Sequence, residues 1–269
     1  MDVLAANVAA DAEMTYDAIA RFHRDGFTTV TGLTTREDLD QVARLLAGLY
    51  SRFQELLDAR RAYDLGSGRG ATRPILEINQ TAELEPRLAN TLTFKRCAAV
   101  AERLLSRPVE YRFDHAIYKP PFNGAATPWH QDEAYDHKNA VEGRAPLWAL
   151  ERKYLSVHFW VPLQDVTRDM GCMEFIPGSH RGALARHHRR DRLRDAHALE
   201  LVGLDTTQAV ACPIRAGDAT VHFPRTAHYT GPNRTGTARM AWVLVFGPRR
   251  SLSVRLVAKT RLVWRQVTR

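Results

Sequence analysis

At Pro108 the hydrophobic period of this chain changes, and that change limits the folds open to it. Before it, apolar residues recur every three or four positions. Leu39, Val42, Leu46, Leu49, Phe53 and Leu56 fall on one face of a long helix, opened by a capping box in which Thr34 is followed three residues later by Glu37. Phe94, Cys97, Val100, Ala101 and Leu104 make a second such face over about 86–106. A shorter helix is expected over about 13–25, stopped by Gly26, and the β-branched run Phe27–Thr31 reads as a strand. After Pro108 alternation takes over: Val109, Tyr111, Phe113, His115 and Ile117 interleave with Glu110, Arg112, Asp114 and Ala116. Further strand runs lie at about 155–163, 173–177, 209–214, 219–223 and 239–246.

Polar stretches interrupt this pattern. Residues 61–80, with Gly66, Gly68, Gly70 and Pro74, read as a mobile loop; 134–154 and 181–205 read as irregular segments on a barrel rim. Residues 1–12 read as a loose terminal segment. With no repeat, linker or low-complexity tract, one domain over 1–269 is the simplest organisation. It is mainly β with supporting α-helices: helical support over about 13–106, then a β-barrel or jelly roll over about 108–246.

Hydrophobic residues make up 45% of the chain, enough for a sizeable core. The net charge of +8 is partly local: Arg181, Arg186, Arg189, Arg190, Arg192 and Arg194 form one run with His187 and His188. That run reads as a solvated face, or as help in binding an anionic substrate. No aromatic residue is interleaved to stack bases, so no nucleic-acid partner is expected. Cys97, Cys172 and Cys212 are far apart and form no CxxC, which argues against a disulfide framework or zinc-thiolate site and fits a cytoplasmic location. The first residues lack a secretory pattern, and no apolar run is long enough for a membrane span. The sequence carries no signal for oligomeric state.

Two segments carry the chemistry. In His130-Gln131-Asp132 an extended backbone would point His130 and Asp132 one way and turn Gln131 aside. Far downstream, Gly217–Phe223 reads as a turn and strand leading to His228, and Arg239 follows that histidine by eleven residues, at the head of the apolar strand Met240–Phe246. Two imidazoles and one carboxylate leave one face of a metal open, which suits non-haem Fe(II) that activates O₂. An arginine heading an apolar strand faces either solvent or a buried anion, because a buried charge needs a partner. A carboxylate, such as one of 2-oxoglutarate, would supply it in bidentate geometry. Other polar groups stay ambiguous on sequence alone. His158 shares a strand face with Ser156 and Trp160, His115 reads as a core residue, His180 as a turn stabiliser, and His222 as undecided. Glu174, in mid-strand, needs a cationic partner if buried.

The segment Tyr118-Lys119-Pro120-Pro121, running into Ala126-Thr127-Pro128-Trp129-His130-Gln131-Asp132, resembles the first-ligand motif of the phytanoyl-CoA dioxygenase family. Gly171–Arg181 resembles that family's strand-turn, with Met170 where the family usually has Asn, and Gly217–Arg239 resembles its third-ligand block. The resemblance covers roughly 15–246. It implies a double-stranded β-helix, a cupin-like jelly roll, with Fe(II) on His130, Asp132 and His228. It also implies 2-oxoglutarate on Arg239 and Thr230, with Trp160 beside it and Tyr118 and Lys119 as further candidates for that pocket. The implied activity is hydroxylation (or desaturation or cyclisation) of a small-molecule metabolite, using O₂ and releasing succinate and CO₂. Asp132 argues against halogenation, for which the metal carboxylate is replaced by a small residue. A nucleic-acid or protein demethylase and a non-catalytic jelly-roll binding protein are the alternatives.

Overall fold

The computed structural model describes residues 14–65, 75–136, 156–189 and 199–249. The glycine-rich part of the 61–80 stretch, most of 134–154 and the arginines beyond 189 lie outside the described residues, as do residues 1–13.

The helical half begins with α1 (Tyr16–Asp25), capped by the Thr15 hydroxyl, which accepts from the Ala18 N–H. It stops at Gly26, whose φ of 89° is open to glycine and strained for other residues. A Cβ there would also lie 2.3 Å from His180 Nδ1. Strand β1 (Phe27–Val30) follows. The next helix, α2 (Arg36–Tyr50), is capped by Thr35, which accepts from Asp38 N–H. This corrects the expected capping box: Thr34 instead gives its hydroxyl to the Asp38 carboxylate at 3.0 Å. The long helix is also two helices, because Ser51 turns its hydroxyl back on the Gly48 carbonyl (2.9 Å) and α3 (Phe53–Asp58) restarts after it.

Strands β2 (Ala62–Asp64) and β3 (Leu76–Asn79) occupy the ends of the stretch read as a loop. Each is too short to show a period, and pairing with neighbouring strands makes them. After the short α4 (Thr81–Leu84), α5 (Leu92–Leu105) is capped by Thr91. The rest is strand: β4 (Val109–Lys119), β5 (Thr127–His130), β6 (Val157–Pro162), β7 (Met173–Phe175), β8 (His187–Arg189), β9 (Leu199–Leu201), β10 (Val210–Cys212), β11 (Ala219–His222), β12 (His228–Thr230) and β13 (Arg239–Pro248). The small β8–β9 ladder lies where the sequence suggested only irregular chain.

Seven strands form one antiparallel sheet in the order β1-β11-β6-β13-β4-β3-β2, and four form a second, β10-β7-β12-β5. Alternation assigns each side chain of the large sheet to one of two cores. Phe159, Val161, Val221, Trp242, Leu244 and Phe246 pack on Leu39, Val42, Leu46, Val100 and Leu104 of the helices. Trp160, Ala241 and Val243, on the other face, pack on Met173 and Phe175 of the small sheet, where Phe27 also stacks on Phe175 at 4.4 Å. Strand β13 is apolar along its length because both its faces are covered. The architecture is the jelly roll with supporting helices.

Candidate metal centre and co-substrate pocket

Strand β5 ends at His130 and β12 begins at His228, and the antiparallel register sets these two residues directly opposite each other. Their rings lie 4.1 Å apart. Asp132, just past β5, completes the group: its Oδ1 is 3.3 Å from His130 Nε2 and 3.5 Å from His228 Nε2. The two imidazoles are fixed by the same device. His130 Nδ1 lies 2.7 Å from the Pro128 carbonyl and His228 Nδ1 lies 2.9 Å from the Thr226 carbonyl, in each case two residues upstream. A ring N–H donated there leaves the Nε2 lone pair facing the centre, the arrangement that metal-ligating histidines use.

A second histidine pair holds the other carboxylate oxygen. His158 Nδ1 is 2.8 Å and His222 Nε2 is 3.1 Å from Asp132 Oδ2, brought there by direct pairing of β6 with β11. His222 differs from the first pair, since its Nδ1 is buried with no partner. Without a backbone anchor on its far nitrogen it fits a hydrogen-bond donor to the carboxylate better than a metal ligand. Burial lowers the His228 pKa well below that of a free imidazole, against the pull of Asp132. Burial alone would raise the Asp132 carboxyl, but His228, His158 and His130 outweigh it and hold Asp132 well below the usual carboxylate range. A neutral imidazole and an ionised carboxylate are the forms that bind a divalent cation.

On the same side of the large sheet, Lys119 of β4 and Arg239 of β13 sit opposite each other. Both are buried, at 0% and 1% exposure. Lys119 Nζ donates to Thr230 Oγ1 and to the Gly231 carbonyl, both at 3.0 Å. Arg239 Nη1 donates to the Gly171 carbonyl at 2.6 Å, its guanidinium carbon stands 5.4 Å from the Trp160 ring centre, and its Nε has no partner. These carbonyls can come so near because Gly171 and Gly231 pass in contact: a Cβ on Gly171 would meet Gly231 O at 2.2 Å. No acidic side chain among the described residues pairs with either cation. Burial, with Arg239 alongside, pushes Lys119 well below the lysine value, and burial brings Arg239 down to about 10. Two like charges are thus placed together in the interior without an anion.

His130, Asp132 and His228 therefore converge on one point, while Lys119, Thr230, Trp160 and Arg239 gather in a neighbouring pocket. Tyr118 does not join them. It is on the opposite face of β4, with its ring 5.8 Å from that of Tyr50 on the helical side. Glu174, expected to need a cation, lies 3.5 Å from Arg168. His180 is buried in its turn, with Nε2 3.3 Å from the His23 carbonyl.

Sequence reading left the His158–His222 clasp open and passed over a buried bidentate pair, Arg225 to Glu133 at 2.6 and 2.8 Å, which ties the segment after Asp132 to the loop before His228. It also missed Gln131 as a strut, donating to the Arg225 carbonyl (2.7 Å) and accepting from Ala185 N–H (2.9 Å). A cavity of about 950 Å³ opens beside His130 and Asp132, lined in part by β3 and β4.

A sequence profile of the phytanoyl-CoA dioxygenase (PhyH) family matches residues 22–241. L-proline trans-4-hydroxylase of Streptomyces griseoviridis is 26% identical over 248 residues, covering 86% of this chain and 85% of that protein. Among solved structures, EvdO2 from Micromonospora carbonacea var. aurantiaca, complexed with 2-oxoglutarate, superposes with a TM-score of 0.71 at 27% identity, over 90% of this chain and 94% of that one. The non-haem, α-ketoglutarate-dependent epimerase SnoN from nogalamycin biosynthesis superposes with a TM-score of 0.59 at 25% identity, over 86% and 82%. The family match takes in both halves of the His-Asp-His cluster and the arginine beyond it; the chain belongs to the phytanoyl-CoA dioxygenase family, and it is an iron- and 2-oxoglutarate-dependent oxygenase.

Proposed function

We propose that His130, Asp132 and His228 hold the iron and that the distal carboxylate of 2-oxoglutarate lies between Arg239, Lys119 and Thr230, with Trp160 closing the pocket. The observation that carries this reading is the pair of buried cations with no acidic partner among the described residues, next to two imidazoles whose Nε2 atoms face one carboxylate oxygen. Each part fits its group. The cluster supplies neutral nitrogen and anionic oxygen donors, and the pocket supplies the positive charge that a second carboxylate requires.

Bound iron and 2-oxoglutarate together supply O₂-driven oxidation of a nearby C–H, with loss of succinate and CO₂. The protein's residues do the orienting. Backbone carbonyls turn the two imidazoles inward, and the His158–His222 pair fixes the outer oxygen of Asp132. Arg239 and Lys119 set the depth at which the co-substrate stops. No acid–base residue is required. The substrate is a small molecule that enters through the 950 Å³ cavity, and hydroxylation is the default outcome. Free cysteines at 97, 172 and 212 fit a reducing, cytoplasmic setting, and no described helix is long and apolar enough to cross a membrane.

Anaerobic titration of the Fe(II)-loaded protein with 2-oxoglutarate tests this reading through the weak visible metal-to-ligand charge-transfer band. The band should form in the native protein, vanish in His130→Ala and need far more 2-oxoglutarate in Arg239→Ala. Iron bound in folded protein with no band would mean a different co-substrate.

A further inference from the structure

Glu77 and Asn79 alternate with buried Ile78 on β3, so both face the cavity. Asn79 stands directly across from His115 of β4, and Glu77 Oε1 is 3.1 Å from His115 Nδ1. That approach leaves His115 Nδ1 without a well-aligned hydrogen bond. The Asn79 side-chain oxygen is buried and has no partner at all. The strip lines the same cavity as His130 and Asp132, and none of its members is among the residues assigned above to iron or 2-oxoglutarate.

The charges around the strip narrow its ligand. Burial opposes a charge on His115, but Glu77, Asp132 and Asp114 outweigh it and raise its pKa, and Glu77 already has this basic neighbour at 3.1 Å. A cationic ligand would find Glu77 already partnered. An anionic ligand would find no unpaired cation on the described wall, because Arg112 is held by Glu110 at 2.6 Å and Arg225 by Glu133. Of the basic run, Arg181 and Arg186 do not line this cavity, and Arg190, Arg192 and Arg194 lie outside the described residues. What the strip offers is acceptors (the Glu77 carboxylate and Asn79 Oδ1) beside one donor on His115. On an extended strand, two residues apart, the acceptors sit roughly 7 Å from each other. Beside them on the same sheet face, Phe113, Ile117 and Val245 add an apolar surface. Acceptors set directly beside hydrocarbon on one wall suit a ring whose edges carry hydroxyls and whose faces carry C–H.

We propose that Glu77, Asn79 and His115 form the subsite for the primary substrate, and that this substrate is an uncharged, polyhydroxylated molecule of sugar-ring size. The subsite rests on the oxygenase reading above, and the charge-transfer band separates the two. A native protein without the band counts against the metal and co-substrate assignment. A native protein with the band isolates the subsite.

Saturation-transfer NMR on the full chain loaded with 2-oxoglutarate and Zn(II), a diamagnetic substitute for iron, tests it with three probes: methyl β-D-glucopyranoside, cyclohexylamine and cyclohexanecarboxylate. The glucoside should bind and the two charged rings should not. Glu77→Ala and Asn79→Ala should each weaken glucoside binding about tenfold, the effect of losing one hydrogen bond. Glu77→Gln, which keeps an acceptor oxygen without the charge, should weaken it much less. Two variants on separate side chains guard against one failing to fold. Absence of glucoside binding in band-positive protein would overturn the proposal, as would undiminished binding in both alanine variants. Preferential binding of cyclohexylamine, lost in Glu77→Gln, would replace it with a cation subsite.

Discussion

Asp132 is a carboxylate divided between two tasks: one oxygen toward the imidazoles of His130 and His228, the other gripped by His158 and His222. If that grip sets the ligand's orientation, removing it loosens the metal. His158→Ala and His222→Ala should each weaken Co(II) binding by about 10- to 100-fold, the usual effect of deleting a group that orients a ligand. His158→Asn and His222→Gln, whose amide nitrogens replace Nδ1 and Nε2, should recover most of it. Cobalt titration followed by its visible d–d bands reads both, and equal losses in the alanine and amide variants would remove the orienting role. Lys119 allows a test in pH. Its depressed folded value lies below the 10.4 or so of an unfolded lysine. Between the two, the unfolded chain binds more protons, so ligand-free protein should gain stability as pH rises through that window. Lys119→Met should flatten that slope and stabilise the ligand-free protein by about 1–4 kcal/mol. It should also raise the KM for 2-oxoglutarate, and a thermal melt series in pH with and without 2-oxoglutarate reads both. Of these residues, His130, Asp132, His228 and Arg239 are legible in the sequence because His-x-Asp, the distant histidine and the arginine eleven residues on form one pattern. Asp132 itself lies past the end of β5 and not on an extended strand. His158 and His222 become partners only through the β6–β11 register, which no local pattern encodes.

Strands and helices meet around a buried carboxylate on the other face of β4. Asp114 accepts from the indole N–H of Trp242 on β13 (2.7 Å), the Ala82 N–H and the Thr81 hydroxyl of α4, and the Tyr111 hydroxyl. Asp114→Ala should therefore cost at least about 3 kcal/mol, since several buried donors lose their acceptor at roughly 1–3 kcal/mol each. Urea unfolding with an unchanged m-value would register it, and a loss under 1 kcal/mol would show that water replaces the carboxylate. Long elements are readable in the sequence because many turns or alternations reinforce one another. The α5 face from Phe94 to Leu104 and the run of β13 are of that kind. The β2 and β3 strands are not: three or four residues carry no period, and β3 exists by pairing with β4. That omission hid Glu77 and Asn79 as cavity residues, although Glu77-Ile78-Asn79 already alternates.

For the whole molecule, the proposed seat of 2-oxoglutarate on Arg239 and Lys119 makes co-substrate binding and folding draw on the same buried charges. With Zn(II) present, 2-oxoglutarate at about a hundred times its Kd should stabilise the fold by about 2.7 kcal/mol. In Arg239→Ala, calorimetry at the same concentration should show most of that stabilisation gone. The β4–β13 ladder, ten paired positions from Arg239–Lys119 to Pro248–Val109, has a further consequence for how such enzymes diverge. Its residues serve the helical core and the cavity by turns, so inserting or deleting one residue would swap Lys119 with Tyr118 and put a charge into the helical core. Length variation is thereby restricted to the connections between strands and to bulges such as the one at Val245–Phe246. Point substitutions on β3, one strand in from the sheet edge, would change the cavity wall and leave that register intact.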